Sequence, residues 1–172
     1  MRTLALLTLL AATPVIAASQ QLSNESRARQ LAATFSKHKE IVRDKRGIRI
    51  VKYKDVRSEP AILANITEYA GTYRVADLDY EITIRIDSNG TIQAGGRTFE
   101  LRDAKIEGGL LRATKAYRNG ALERFEGVFL RRTVRDDPND PGITTLGLGV
   151  VLTTPVEFAG NTYDKLFYQL QE

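Results

Sequence analysis

One histidine and no cysteine in 172 residues set the first limits on chemistry. A cysteine nucleophile is unavailable, and a single imidazole cannot assemble the usual zinc sites. A Ser-His-acid triad would require His38 to meet a serine and an acid from elsewhere in the chain. No Gly-rich loop follows a strand and opens a helix, so no phosphate cradle is encoded. What remains is carboxylates. Glu123 with Glu126, and Asp79 with Glu81, are the pairs nearest in sequence, and a carboxylate-dependent hydrolase would need such groups about 5–9.5 Å apart beside a sugar cleft. On outward strand faces the same residues simply solubilise. The loop Arg135-Asp136-Asp137-Pro138-Asn139-Asp140-Pro141-Gly142 is rich in oxygen donors, but Pro141 takes a ligand position and no Glu closes the loop, so it reads as a turn rather than a calcium site. No catalytic residue, metal or cofactor is expected.

Charge is the second source of chemistry. Lys37 to Arg57 holds nine Lys/Arg against three acids, a local net of +6 in a chain whose total is +4. The positive charge is therefore concentrated in one segment. Such a segment suits an anionic lipid headgroup or an acidic polymer of an envelope, with Lys45, Arg46, Arg49 and Lys52 as the contacting cations. The plainer alternative is a solvated helix end and edge strand, where lysine discourages edge-to-edge association. Nucleic acid is not expected as a partner, because only Tyr53 is available in the segment for base stacking.

Arg2 precedes an uncharged, Leu- and Ala-rich run that ends in Val15-Ile16-Ala17-Ala18. One positive charge, a short apolar core and small residues at its end predict a signal peptide cleaved after Ala17 or Ala18, and hence a secreted or periplasmic protein. The run is shorter than the roughly 20 residues a spanning helix needs, and Pro14 interrupts it. No later stretch reaches spanning length, so no transmembrane segment is expected in the mature chain. The expected organisation is a signal peptide over 1–18, a helical segment over 19–45 and one β-barrel domain over 46–172.

These side chains must be positioned by elements of two kinds. Ser23 to His38 reads as a helix, with Ser23 or Asn24 as cap and Leu31, Ala32 and Phe35 as an apolar stripe. From Tyr69 to Arg131 the period changes to two. Tyr80, Ile82, Ile84 and Ile86 alternate with Glu81, Thr83, Arg85 and Asp87, and the turn formers Asn89-Gly90, Gly108-Gly109 and Asn119-Gly120 separate successive strands. Opposite parities of Phe99/Leu101 and Ala104/Ile106 predict a bulge near Arg102-Asp103. A two-residue turn at Asn119-Gly120 pairs Tyr117 with Leu122 and Leu111 with Val128, which puts Arg112 on the face of Phe125 and Phe129. Leu146, Leu148, Val150 and Leu152 alternate with Gly147 and Gly149, and glycines so placed allow a sharp bend or the close approach of a ring. Eight to nine strands follow, enough to close a small mainly-β antiparallel barrel behind an N-terminal helix.

Gly71-Thr72-Tyr73, opening the meander after a helical segment, resembles the first strand of lipocalin-like (calycin-type) barrels, which carries a Gly-x-Trp signature. The resemblance implies a small closed barrel that holds a hydrophobic ligand. Two functions are therefore expected in competition. One is an exported, non-catalytic binder of a small apolar or amphipathic molecule, with Tyr73, Ile84, Phe99, Arg112, Phe125 and Phe129 lining the site. The other is an envelope or surface interaction protein, whose barrel is filled and whose basic segment touches an anionic component.

Overall fold

A computed structural model describes residues 13–45, 48–76 and 78–172, with side chains described except over 13–22 and 39–52. Helix α1 (Thr13–Thr34) leads into a hairpin of β1 (Lys37–Lys45) and β2 (Ile48–Pro60). A 3-10 turn (Ile66–Tyr69) precedes β3 (Gly71–Arg74), β4 (Glu81–Ile86), β5 (Ile92–Gly95) and β6 (Phe99–Glu107). Then come β7 (Leu110–Tyr117), β8 (Leu122–Arg135), β9 (Ile143–Phe158) and β10 (Asn161–Leu170). Neighbours pair antiparallel in the order β8-β7-β6-β5-β4-β3-β10-β9, and β9 returns to β8. Eight strands therefore close on themselves, and the fold is mainly β, as the alternation predicts.

Closure depends on both ends of the domain. Tyr73 pairs with Leu170 and Arg74 with Gln169, so the opening strand meets the last one. Residues Gly127–Val134 pair with Val150–Ile143 along the long β8 and β9. The bulge expected near Arg102-Asp103 is present: the β6–β7 register shifts between Arg102 and Lys105, and Asp103 has a φ of 53°.

Two apolar clusters divide the molecule. The interior holds Tyr73, Ile82, Ile84, Leu111, Phe129 and Leu148, all at or below 1% exposure. An eight-stranded barrel is narrow enough for side chains to fill, and these large residues do so. The second cluster lies on the outer wall, where Ala28, Leu31 and Ala32 of α1 and Phe35 just beyond its end pack on Leu110, Val128 and Leu130. Their spacing of i, i+3, i+4 and i+7 places them on one helical stripe. Gly149 faces this contact, and a Cβ there would stand 2.8 Å from the Phe35 ring. The close approach anticipated from the alternating glycines is thus made by the ring that follows the helix.

The helix ends at Thr34, not at His38, and residues 37–45, expected within the helical segment, form a strand. The last turn tightens through Phe35 N–H to the Ala32 carbonyl at 3.0 Å. The β-branched pair Ile41-Val42 then finds a partner strand, with Val42 opposite Val51. Backbone pairing over nine residues outweighs the weak helical preference of a lysine-rich tail. Beyond the end of β7, the hairpin's β2 joins the same edge of β8, pairing Asp55–Pro60 with Arg135–Leu130. The apolar run of the expected signal peptide lies largely outside the described residues, and its expected cleavage point falls within α1. No helix among the described residues is long and apolar enough to cross a membrane.

Candidate functional site

The β7–β8 register decides which side chains face inward. Tyr117 N–H donates to the Ala121 carbonyl at 2.9 Å, and Gly120 N–H donates to the Tyr117 carbonyl at 2.9 Å. The loop therefore has three residues, Arg118-Asn119-Gly120, with Gly120 at a φ of 86°, rather than the expected two. One extra residue shifts the pairing: Leu111 lies opposite Gly127 and Lys115 opposite Glu123. A one-residue slip exchanges faces.

Arg112 is accordingly corrected from a lining residue to an outer-wall residue. Its Nε donates to Glu126 at 3.0 Å and its Nη1 to Asn24 of the helix at 2.6 Å, while Arg27 reaches the same carboxylate at 2.8 Å. Burial raises the Glu126 pKa, but the Arg112 and Arg27 guanidiniums outweigh it and hold the carboxyl below the usual range. The network clamps α1 to the barrel. Tyr73, Ile84, Phe125 and Phe129 lie in the filled interior, and Phe99 is half-buried near one rim with the Lys115 ammonium 4.5 Å from its ring centroid. Of the expected cations, Lys45, Arg49 and Lys52 lie on the β1–β2 hairpin, whose side chains there are not described, and Arg46 lies outside the described residues.

The carboxylate pairs do not converge. Glu126 faces out, whereas Glu123 accepts from Thr153 and, at 2.9 Å, from the Tyr117 hydroxyl. The Thr153 hydroxyl, then that of Tyr117, lowers the Glu123 pKa. Asp79 is bound to Arg97 and Glu81 to Arg74, each at 2.6 Å. His38 Nδ1 lies 3.4 Å from the buried Asp55, yet the neighbouring serines are committed: Ser36 Oγ accepts from Ser58 N–H at 2.9 Å, and Ser58 Oγ donates to the Phe35 carbonyl at 3.2 Å. No group of three His, Asp or Glu placed to hold a metal occurs among the described residues.

A groove of about 1290 Å³ opens instead outside the core, between the β1–β2 hairpin and β10. It runs from the end of α1 to Val75, Ala76 and Leu78 between β3 and β4. Phe35, Val56, Leu78, Leu166 and Phe167 supply apolar walls, and Lys37, Lys54, Arg132 and Lys165 supply cations, against Asp136 as the one lining acid among the described residues. The volume exceeds the roughly 300–1,000 Å³ usual for a small-molecule pocket, so this is a trough with room for a ligand and water.

The helix accounts for the groove's position. The outward apolar strip of β8 runs through Val128 and Leu130 under α1, and α1 stops before the strip reaches Arg132. Lys165 donates to the Thr34 carbonyl at 2.6 Å, capping the helix. The Arg132 guanidinium lies 4.8 Å from the Phe167 ring centroid. Its Nε is buried without a hydrogen-bond partner among the described residues, and burial alone pushes its pKa down. A buried polar group left unpaired costs about 1–3 kcal/mol.

Sequence reasoning missed Arg132, Lys165 and Phe167. One signal was available: Val128 and Leu130 are apolar on a face that should be polar, which announces a cover, and the arginine two residues on marks where the cover ends. No protein-family profile, characterised protein or solved structure matches the chain.

Proposed function

We propose that this is an exported, non-catalytic binding protein for a small amphipathic ligand, held in the groove outside the barrel. The observation that carries the reading is the groove's composition: apolar walls and four cations share one trough of about 1290 Å³. Apolar surface removed from water contributes about 25 cal/mol per Å², so a bound hydrocarbon tail draws its affinity from these walls. The filled interior supports a site elsewhere than the lumen, since Tyr73 and Phe129 pack as core. The leader over 1–18 supports export.

The test is a titration with the neutral fluorophore N-phenyl-1-naphthylamine. Saturable one-site enhancement is expected, weakened at least fivefold by Tyr53→Asp or Tyr163→Asp on the groove wall and unchanged by Phe158→Asp at the exposed end of β9. Absence of saturable binding, or equal loss in all three variants, sinks the reading. The basic segment favours a second one, contact with an anionic envelope surface, because Lys37 and Lys54 from it line the same trough. Sedimentation with anionic vesicles that is abolished at high salt but indifferent to the groove variants would favour that second reading.

A further inference from the structure

Four cations among the described residues line the groove, but they are not equally placed, and Lys37 is exposed to water. Lys165 is spent on the Thr34 carbonyl at 2.6 Å, and Lys54 stands 4.0 Å from Asp136. Asp136 itself is 78% exposed, turned toward water. Arg132 differs from both. It is half-buried, no carboxylate lies within ion-pair distance among the described residues, and its Nε has no partner. The guanidinium carbon lies 4.8 Å from the Phe167 ring centroid, a cation–π contact that holds the group beside that ring. The fork of N–H donors on a guanidinium matches a planar or tetrahedral oxyanion. Val56 and Phe167 line the same groove, so a tail continuing from such a headgroup meets apolar wall.

We propose that the groove selects acidic amphiphiles, molecules with one carboxylate or phosphate on an apolar tail, and that Arg132 is the residue that selects the acid. This rests on the groove being the binding site. A cation already desolvated and oriented in the unliganded protein gives the arriving anion a partner without the ordering cost of a flexible lysine.

The experiment is displacement of N-phenyl-1-naphthylamine by four dodecyl probes: dodecanoate, dodecyl phosphate, dodecyl maltoside and dodecyltrimethylammonium. Wild type is expected to bind one or both anions at least tenfold more tightly than the neutral and cationic probes, and the two anion arms decide between carboxylate and phosphate. Arg132→Gln should weaken the preferred anion roughly ten- to a hundredfold and leave dodecyl maltoside within about twofold. Arg132→Lys should fall between them, because it keeps the charge and loses the fork. Equal binding of anionic and neutral probes by wild type overturns the proposal while leaving the groove reading intact, and so does an Arg132→Gln variant that keeps the anion preference. Failure of every probe removes the groove reading and this inference together. Should Arg132→Gln not fold, the wild-type preference and Arg132→Lys decide the matter.

Discussion

The Tyr69 hydroxyl donates to the Ala61 carbonyl at 2.9 Å and accepts from Leu63 N–H at 2.8 Å, so one buried oxygen fastens the chain where β2 leaves the sheet. Its ring lies on Phe129 with centroids 4.3 Å apart. Tyr69→Phe keeps the ring contact and strands two backbone groups. A loss of about 1–3 kcal/mol in urea unfolding is expected. Unchanged stability would show that the link from Ala61 to Leu63 holds without it.

Phe35→Ala should loosen the helix and spare the barrel. The ring is 8% exposed and packs with Leu110, Val128 and Leu130, so its removal should cost about 3–5 kcal/mol if helix and barrel unfold together. Hydrogen exchange checks the distribution: amides of 24–34 should lose protection while those of β8 and β9 keep theirs. Uniform loss across both would show that the two do not separate.

How far these elements are legible in the sequence depends on the scale at which the physics acts. Ile82 and Ile84 announce a strand by period alone, and the opposite parities around Arg102-Asp103 announce a bulge, because both are local. The turn at Asn119-Gly120 is also local, but two- and three-residue loops share its residues. The choice between them decides which β7 side chains share a face with Phe125 and Phe129, and it moves Arg112 from the interior to the helix clamp. The helix end is not legible locally for another reason: Lys37 becomes a strand residue only because Val56 is there to pair with it. The groove was illegible, since Phe35, Val56, Arg132 and Phe167 meet only once α1 has docked.

Acid should weaken the same clamp. Glu126 has a lowered pKa in the folded state against an ordinary value of 4.5, so its contribution is present above that value and is lost as pH falls through the lowered one. Glu126→Gln should cost about 1–2 kcal/mol at neutral pH, discounted for the partial exposure of Arg27 and Arg112. The variant's stability should then fall less steeply than wild type below pH 4.5. Parallel pH curves for the two proteins would refute the assignment.

Gly71 holds a φ of 153°, and a Cβ there would overlap Leu170 Cδ1. Gly71→Ala should destabilise by about 1–3 kcal/mol. Adding Leu170→Ala should recover part of that loss, because it removes the overlap and leaves only the backbone strain. A strictly additive double variant would place the cost in the backbone alone.

Strand β8 is longer than its neighbour β7, and the β2 residues Asp55–Pro60 occupy the part of its margin that β7 leaves uncovered. Without the hairpin, Leu130–Arg135 would present bare amides and carbonyls beside Val134, a surface on which another molecule of the same protein could zip. The basic hairpin thus doubles as a guard against self-association. Proline substitutions that unpair β2, such as Arg57→Pro, should register first in light scattering, as concentration-dependent multimers of barrels that are still closed.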